Sequence, residues 1–160
     1  MTLKELSKLY WLNREIEQTR RQLEELEKEI SEDAERLREM RRGLDGVRSP
    51  GLDGMPHGTD VHSAVENAVM RVMRLEEDLI RKHDAAKNLY EMISARQTRA
   101  IVEKEKLENY IAEIEDPVLR AAFTFRFVEG ATWEKVAESI GKYEPDTVRM
   151  MCSRYIHRNG

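Results

Sequence analysis

The stretch LYWLNREIEQTRRQLEELEKEISEDAERLREM (9–40) decides the architecture. Leu9, Ile16, Leu23, Ile30 and Leu37 recur every seven residues, and three positions after each stand Leu12, Thr19, Leu26, Asp33 and Met40. That alternation of three and four is the a/d stripe of a coiled coil, here with two polar d-type positions. The remaining positions are mostly Glu, Arg, Lys and Gln. Some fall at supporting i,i+4 spacing, such as Glu24 with Lys28 and Glu32 with Arg36. The pattern predicts one helix over 3–42, roughly 60 Å long at about 1.5 Å per residue.

A second sustained heptad occupies 60–115. Val65, Val72, Leu79, Ala86, Ile93, Ala100, Leu107 and Ile114 are seven apart. A second row holds Val61, Ala68, Leu75 and Leu89 and turns polar at Arg96 and Glu103. The first helix runs out at about the same place. This coincidence predicts an antiparallel hairpin, with residues near 40 facing residues near 61 and residues near 3 facing residues near 98. Parallel self-association is the other way to bury a heptad stripe, and two hairpins can also pair into a four-helix arrangement. Val69, Ile80 and Ile101 lie outside the seam, so a homo-oligomer, a dimer or larger, is expected.

The connection GLDGVRSPGLDGMPHGTD (43–60) contains five of the eight glycines and two of the four prolines. It has no G-K-[ST], no G-x-G-x-x-G and no preceding strand, so a phosphate loop is rejected in favour of a flexible hairpin loop over 43–59. The other prolines and glycines all follow residue 116. The chain therefore divides into a coiled-coil hairpin (1–115) and a compositionally distinct segment (116–160).

That segment reads as three short helices. Asp116 can cap a helix opened by Pro117, which carries Leu119, Ala122, Phe123 and Phe127 and stops near Gly130. Thr132 can cap the second, WEKVAESI (133–140), and Gly141 follows it as a helix-terminating residue. The third runs from about Pro145 to about His157, with Val148, Cys152 and Tyr155 inward. Two short helices around a glycine, the second rich in arginine, form a helix-turn-helix candidate. Thr147, Arg149, Ser153, Arg154 and His157 then face outward. With Lys142 and Arg158 they form the candidate DNA-contacting set, since arginine can pair with guanine edges or phosphate.

Composition bounds the function. Charged residues make up 36 % of the 160 and aromatics only 6 %, the profile of long solvated helices. Residues 116–160 hold seven Lys/Arg against six Asp/Glu, net +1, whereas the first 115 residues are net −5. That is a thin footprint for a module binding DNA alone. A single cysteine, Cys152, excludes an intrachain disulfide, and its apolar position suits a buried thiol. Histidines 57, 62, 83 and 157 have no i,i+4 His partner and no Cys pair, and the carboxylates do not converge. No metal, cofactor or catalytic residue is expected. Nor is a membrane span or a secretory leader, so an intracellular protein is the default.

RFVEGATWEKVAESIG (126–141) resembles the region-four helix-turn-helix of sigma factors, whose usual run is close to R-Y-x-E-G-L-S-Y-x-E-I-A-x-x-L-G. Arg126, Glu129, Gly130, Val136, Ala137, Ile140 and Gly141 match in type and spacing. Thr147-Val148-Arg149 and Arg154 are similar to the T-V-R…R that follows in that family. Five residues (KYEPD) separate Gly141 from Thr147 where the family has four. The whole chain resembles phage- and prophage-encoded sigma-factor-like regulators of Gram-positive bacteria. It shares with them the N-terminal helix, the GMPHG element (54–58), the second long helix and the helix-turn-helix. The resemblance implies an all-α, non-enzymatic transcriptional regulator acting in the host cytoplasm on promoter double-stranded DNA, on bacterial RNA polymerase, or on both. A coiled-coil adaptor and a small-terminase-like packaging component are the alternatives.

Overall fold

The computed structural model describes residues 1–46, 60–141 and 143–159, and these are all-helical, with no strand among them. The flexible loop expected at 43–59 lies, from residue 47 on, outside the described residues. The helices are α1 (Leu3–Leu6), α2 (Lys8–Asp45), α3 (Asp60–Ala112), α4 (Pro117–Phe123) with a π-helical turn (Thr124–Val128), α5 (Trp133–Ser139) and α6 (Pro145–Asn159). Compact packing divides the chain elsewhere than at the compositional boundary after residue 115. One unit is Met1–Thr19 with Met92–Gly160, the other Arg20–Glu91.

The N-terminal helix expected as one piece is bent at Ser7. Its hydroxyl donates to the Leu3 carbonyl at 2.9 Å, a back-bond that competes with the helical ladder and bends it. α1 is only four residues long, yet a complete capping box starts it. The Thr2 hydroxyl accepts from the Glu5 amide, and the Glu5 carboxylate accepts from the Thr2 amide at 2.7 Å. Those bonds hold the Glu5 carboxyl below its ordinary range.

In the Arg20–Glu91 unit, burial follows the heptad. Leu23, Val72, Leu79 and Ala86 are buried, and Leu26, Ile30, Leu37, Leu75 and Leu89 are half-buried. The polar seam residue Asp33 is only 8 % exposed. It meets Lys82, whose Nζ lies 2.8 Å from Asp33 Oδ2 and 2.9 Å from Glu29 Oε2. Arg41 pairs with Glu76, and the Tyr90 hydroxyl donates to Glu27 at 2.8 Å. Partner numbers on α3 thus fall as those on α2 rise.

Arg41 meets Glu76, not the residues near 61 that matching the seam ends suggested. The reason is the polar pair. In the end-matched register Asp33 would lie near Ala68. A slip of one heptad from the observed register would put it against Leu75 or Leu89. Each leaves Asp33 with only the exposed Arg36 of its own helix, 3.1 Å away, and takes away the cation that faces it across the seam. Thr19 and Asp33 are fourteen residues apart, as are Lys82 and Arg96.

In the other unit, Leu9, Ile16 and Thr19 of α2 and Ile93, Ala100 and Leu107 of α3 are buried. Arg96 reaches Glu15 at 3.3 Å and donates to the Thr19 hydroxyl at 2.5 Å, while Lys8 lies 2.6 Å from Glu103. Here Lys8 faces Glu103, whereas matching the seam ends would have set it against residues near 93. Past Ala100 the pattern changes: Leu107 and Ile111 of α3 are buried at i and i+4, and Ile114, just beyond its end, is buried as well. With them the chain leaves the narrow seam and enters a globular core. Phe123, fully buried, sits at its centre, with ring centroids of Phe127, Tyr155 and Tyr110 at 5.3, 5.6 and 6.3 Å.

Two predictions follow from these contacts. Asp33 is held below its ordinary pKa of 3.8 first by the Lys82 hydrogen bond. Lys82 is held above its ordinary 10.5 first by the hydrogen bond to Asp33. Stability from the depressed acid is complete above pH 3.8 and is lost as pH falls through the lower folded value. Stability from the raised base is complete below pH 10.5 and is lost as pH rises through the higher folded value. Urea midpoints should therefore place Lys82→Met below the parent by a margin constant across neutral pH, narrowing below the acid limit and above the basic one. The Asp33→Lys, Lys82→Asp double exchange should recover stability that either single change loses. Tyr110 is the second case, since its buried hydroxyl has no hydrogen-bond partner. Tyr110→Phe removes an unsatisfied group and should leave the urea midpoint equal or higher.

Candidate nucleic-acid interface

α4, the π turn, α5 and α6 build the candidate site on the Phe123 core. Asp116 caps α4 as its sequence indicates, accepting from the Val118 amide at 2.8 Å and the Leu119 amide at 3.3 Å, with Pro117 in the first turn. The helix read as continuous towards Gly130 widens into the π turn, where the Glu129 amide reaches back to the Thr124 carbonyl at 3.1 Å. Gly130 follows with φ +71°, a conformation that costs an L side chain about 1–2 kcal/mol. The Tyr10 ring lies 3.4 Å from where a Cβ would stand.

Arg126 locks this loop. Its Nη1 donates to the Ala131 carbonyl at 2.7 Å, and its guanidinium lies 4.9 Å from the centroid of the Trp133 ring. Thr132 caps α5 through its hydroxyl, and Glu134 occupies the first turn. The Glu134 carboxyl is lowered by the helix-start backbone amide and then by the Thr132 hydroxyl.

The turn into α6 uses Gly141 at φ +120°, just past the end of α5. Of the five residues KYEPD, Pro145 and Asp146 already belong to α6. The extra length is thus partly absorbed into the helix. Pro145 opens it, and the Glu144 carbonyl accepts from the Thr147 amide at 3.0 Å and the Val148 amide at 3.2 Å. Lys142 lies outside the described residues.

α6 buries Val148, Cys152 and Ile156. Tyr155, expected inward, is half-buried, and its ring stands edge-on to Phe123 at 5.6 Å. Ile156 takes the third buried position because α6 packs on an i, i+4, i+8 line. Burial pushes the Cys152 thiol up to about 11, which leaves it protonated and unreactive. Thr147, Arg149, Ser153, Arg154, His157 and Arg158 are all exposed. They fall into two rows on the helix. Thr147, Arg154 and Arg158 share one side. Arg149, Ser153 and His157, at i, i+4 and i+8, share the other and line a groove of about 680 Å³. Its further walls are Thr2, Leu3 and Ser7 at the N-terminus and Arg126 and Trp133 of the loop and α5.

The heptad reading missed that N-terminal wall. The signal was present in Leu6, which lies on neither heptad row and yet is fully buried. Trp11 is 58 % exposed, its ring edge-on to Tyr10. Among the described residues no cluster of three or more His, Cys, Asp or Glu is placed to hold a metal ion, and no helix is long and apolar enough to cross a membrane. Compared with family models, curated proteins and solved structures, the chain finds no match.

Because Arg126 carries a charged hydrogen bond and a ring contact at once, Arg126→Ala should cost about 1–3 kcal/mol in urea denaturation. Arg149→Ala, on an exposed face with only a 3.7 Å pairing to Asp146, should stay within about 0.5 kcal/mol of the parent.

Proposed function

We propose that this chain is a sigma-factor-like, DNA-binding transcriptional regulator of phage type. In this reading α5 and α6 form a helix-turn-helix, α6 enters the major groove, and α2 and α3 pair as an antiparallel hairpin arm. The observation that carries it is the division of α6. Val148, Cys152 and Ile156 anchor the helix in the core, and Thr147, Arg149, Ser153, Arg154, His157 and Arg158 stand clear of it. An anchored helix of 15 residues, with arginines on its free face, has the size and chemistry to read base edges and grip phosphates.

The reverse order of partners along α2 and α3, seen separately in each unit, supports the hairpin. The exposed Val69, Ile80 and Ile101 leave apolar surface for a second copy or for RNA polymerase. Promoter DNA, the polymerase and a homo-oligomer are thus the partners of this reading. An adaptor role is the second reading. It is favoured by the net charge of +1 on residues 116–160, which is small for unaided DNA binding.

The test is binding to duplexes from the gene's own genomic neighbourhood, measured across a salt series. Arg149→Ala should weaken specific binding by about 1–3 kcal/mol, the scale of a lost bidentate base contact. Arg154→Ala should weaken specific and non-specific binding together and reduce the salt slope by about one. If both folded variants bind like the parent, α6 does not read DNA and the adaptor reading takes its place.

A further inference from the structure

We propose that the groove between α1, the loop before α5 and α6 is a docking site for an acidic, amphipathic peptide segment of a partner protein. The inference does not depend on DNA binding by α6. It starts from charge. The chain as a whole is net −4, yet this groove holds Arg126, Arg149 and His157, and among the described residues no carboxylate lines it. Asp146, which stands 3.7 Å from Arg149, lies outside the lining. Both guanidiniums carry fixed charge in a setting lined by Leu3, Trp133 and Met150, where a carboxylate would be attracted more strongly than on an open surface.

The apolar part selects the class of partner. Leu3 is 58 % exposed and Met150 is 50 % exposed, unusual for large apolar side chains flanking one concavity. A phosphate backbone would match the arginines but gain nothing from these two residues. A small acid would sit in the hollow and leave its rim wet. A peptide helix with bulky apolar anchors at i and i+4 and carboxylates beside them covers both. Tryptophan, methionine and arginine are also the side chains that protein interfaces concentrate, and among the described residues no lysine lines this groove. At about 680 Å³ the groove has room for two or three such anchors.

The capping box at Thr2 and Glu5 gives the groove its N-terminal wall. The Arg126 bond to Ala131 gives it the opposite one. The hollow is therefore preformed, and docking does not have to order it first.

The experiment selects peptides of about twelve residues from a displayed random library against the full chain. The fluorescein-labelled winners are then titrated by anisotropy. The targets are the parent, Ser153→Trp and Met150→Glu, which fill or repel within the groove, Arg149→Glu, and Arg154→Ala, which lies on the same helix outside it. Circular dichroism melting identifies the variants that fold. The expected winners carry Asp or Glu next to Leu, Phe or Trp. Arg149→Glu and whichever of Ser153→Trp and Met150→Glu folds should weaken them by roughly tenfold or more, whereas Arg154→Ala leaves them unchanged. Winners that are basic or uncharged, winners indifferent to the groove variants, or a selection that yields no groove-dependent peptide would overturn the proposal. A duplex that needs Arg149 and Ser153 while no acidic peptide is enriched assigns the groove to DNA and also overturns it. Because Arg154 is outside the groove, loss of DNA binding in Arg154→Ala reports on the reading helix alone, and the two ideas fail separately.

Discussion

A stripe of apolar residues two wide cannot be sheltered by the helix that carries it. α2 has little else to bury: outside its heptad rows it is mostly charged. Every buried position on α2 therefore needs a facing residue on another helix, and where the stripe carries a polar group, the facing residue must answer it chemically. Leucine opposite leucine tolerates a shift of seven residues, because the next layer looks the same. Asp33 does not: Arg36 of its own helix pairs with it in any register, but among the described residues of the Arg20–Glu91 unit the cation that faces it from α3 is Lys82. The apolar rows supply the stabilisation, and the polar positions select which of several similar registers is occupied.

In the unit that joins both ends of the chain, the same helix α3 serves a second purpose. Beyond Ala100 its buried residues spread from a seam to a wider face, and Leu107 and Ile111, with Ile114 just past its end, join the core around Phe123. The candidate interface rests on that core. Val148, Cys152 and Ile156 orient α6 by being buried, and the exposure of the arginines on its other sides is the geometric consequence. The loop before α5 is held by Arg126. Its role in this chain is visible as a hydrogen bond to Ala131 and a stack on Trp133.

Local signals were the most legible. Asp116 and Thr132 as caps, Pro117 and Pro145 as helix openers, and Gly141 in a positive-φ turn each depend on bonds within a few residues of themselves. Those bonds are encoded by adjacent side chains and by glycine's freedom at positive φ. The bend at Ser7 was equally local but went unread, because a serine inside a heptad looks like an ordinary polar position until its hydroxyl finds the Leu3 carbonyl. The register was in principle legible too. Lys82 stands in the second heptad row between Leu75 and Leu89, fourteen residues before Arg96, and it matches the fourteen between Thr19 and Asp33. Matching the ends of two seams has no energetic basis; matching their buried polar groups does.

The amino-acid sequence by itself determined that the chain is helical, where its short helices start and stop, and which stripe of each long helix is buried. These follow from periodicity and from contacts within one turn. Only the tertiary structure decided that Leu6 is buried, that Ile156 and not Tyr155 completes the inner face of α6, and that Thr2, Leu3 and Ser7 stand opposite Arg149, Ser153 and His157 across a groove. Such facts depend on which surfaces meet across more than a hundred residues of chain. No periodicity encodes them, because a helix face records that it must be covered and not what covers it.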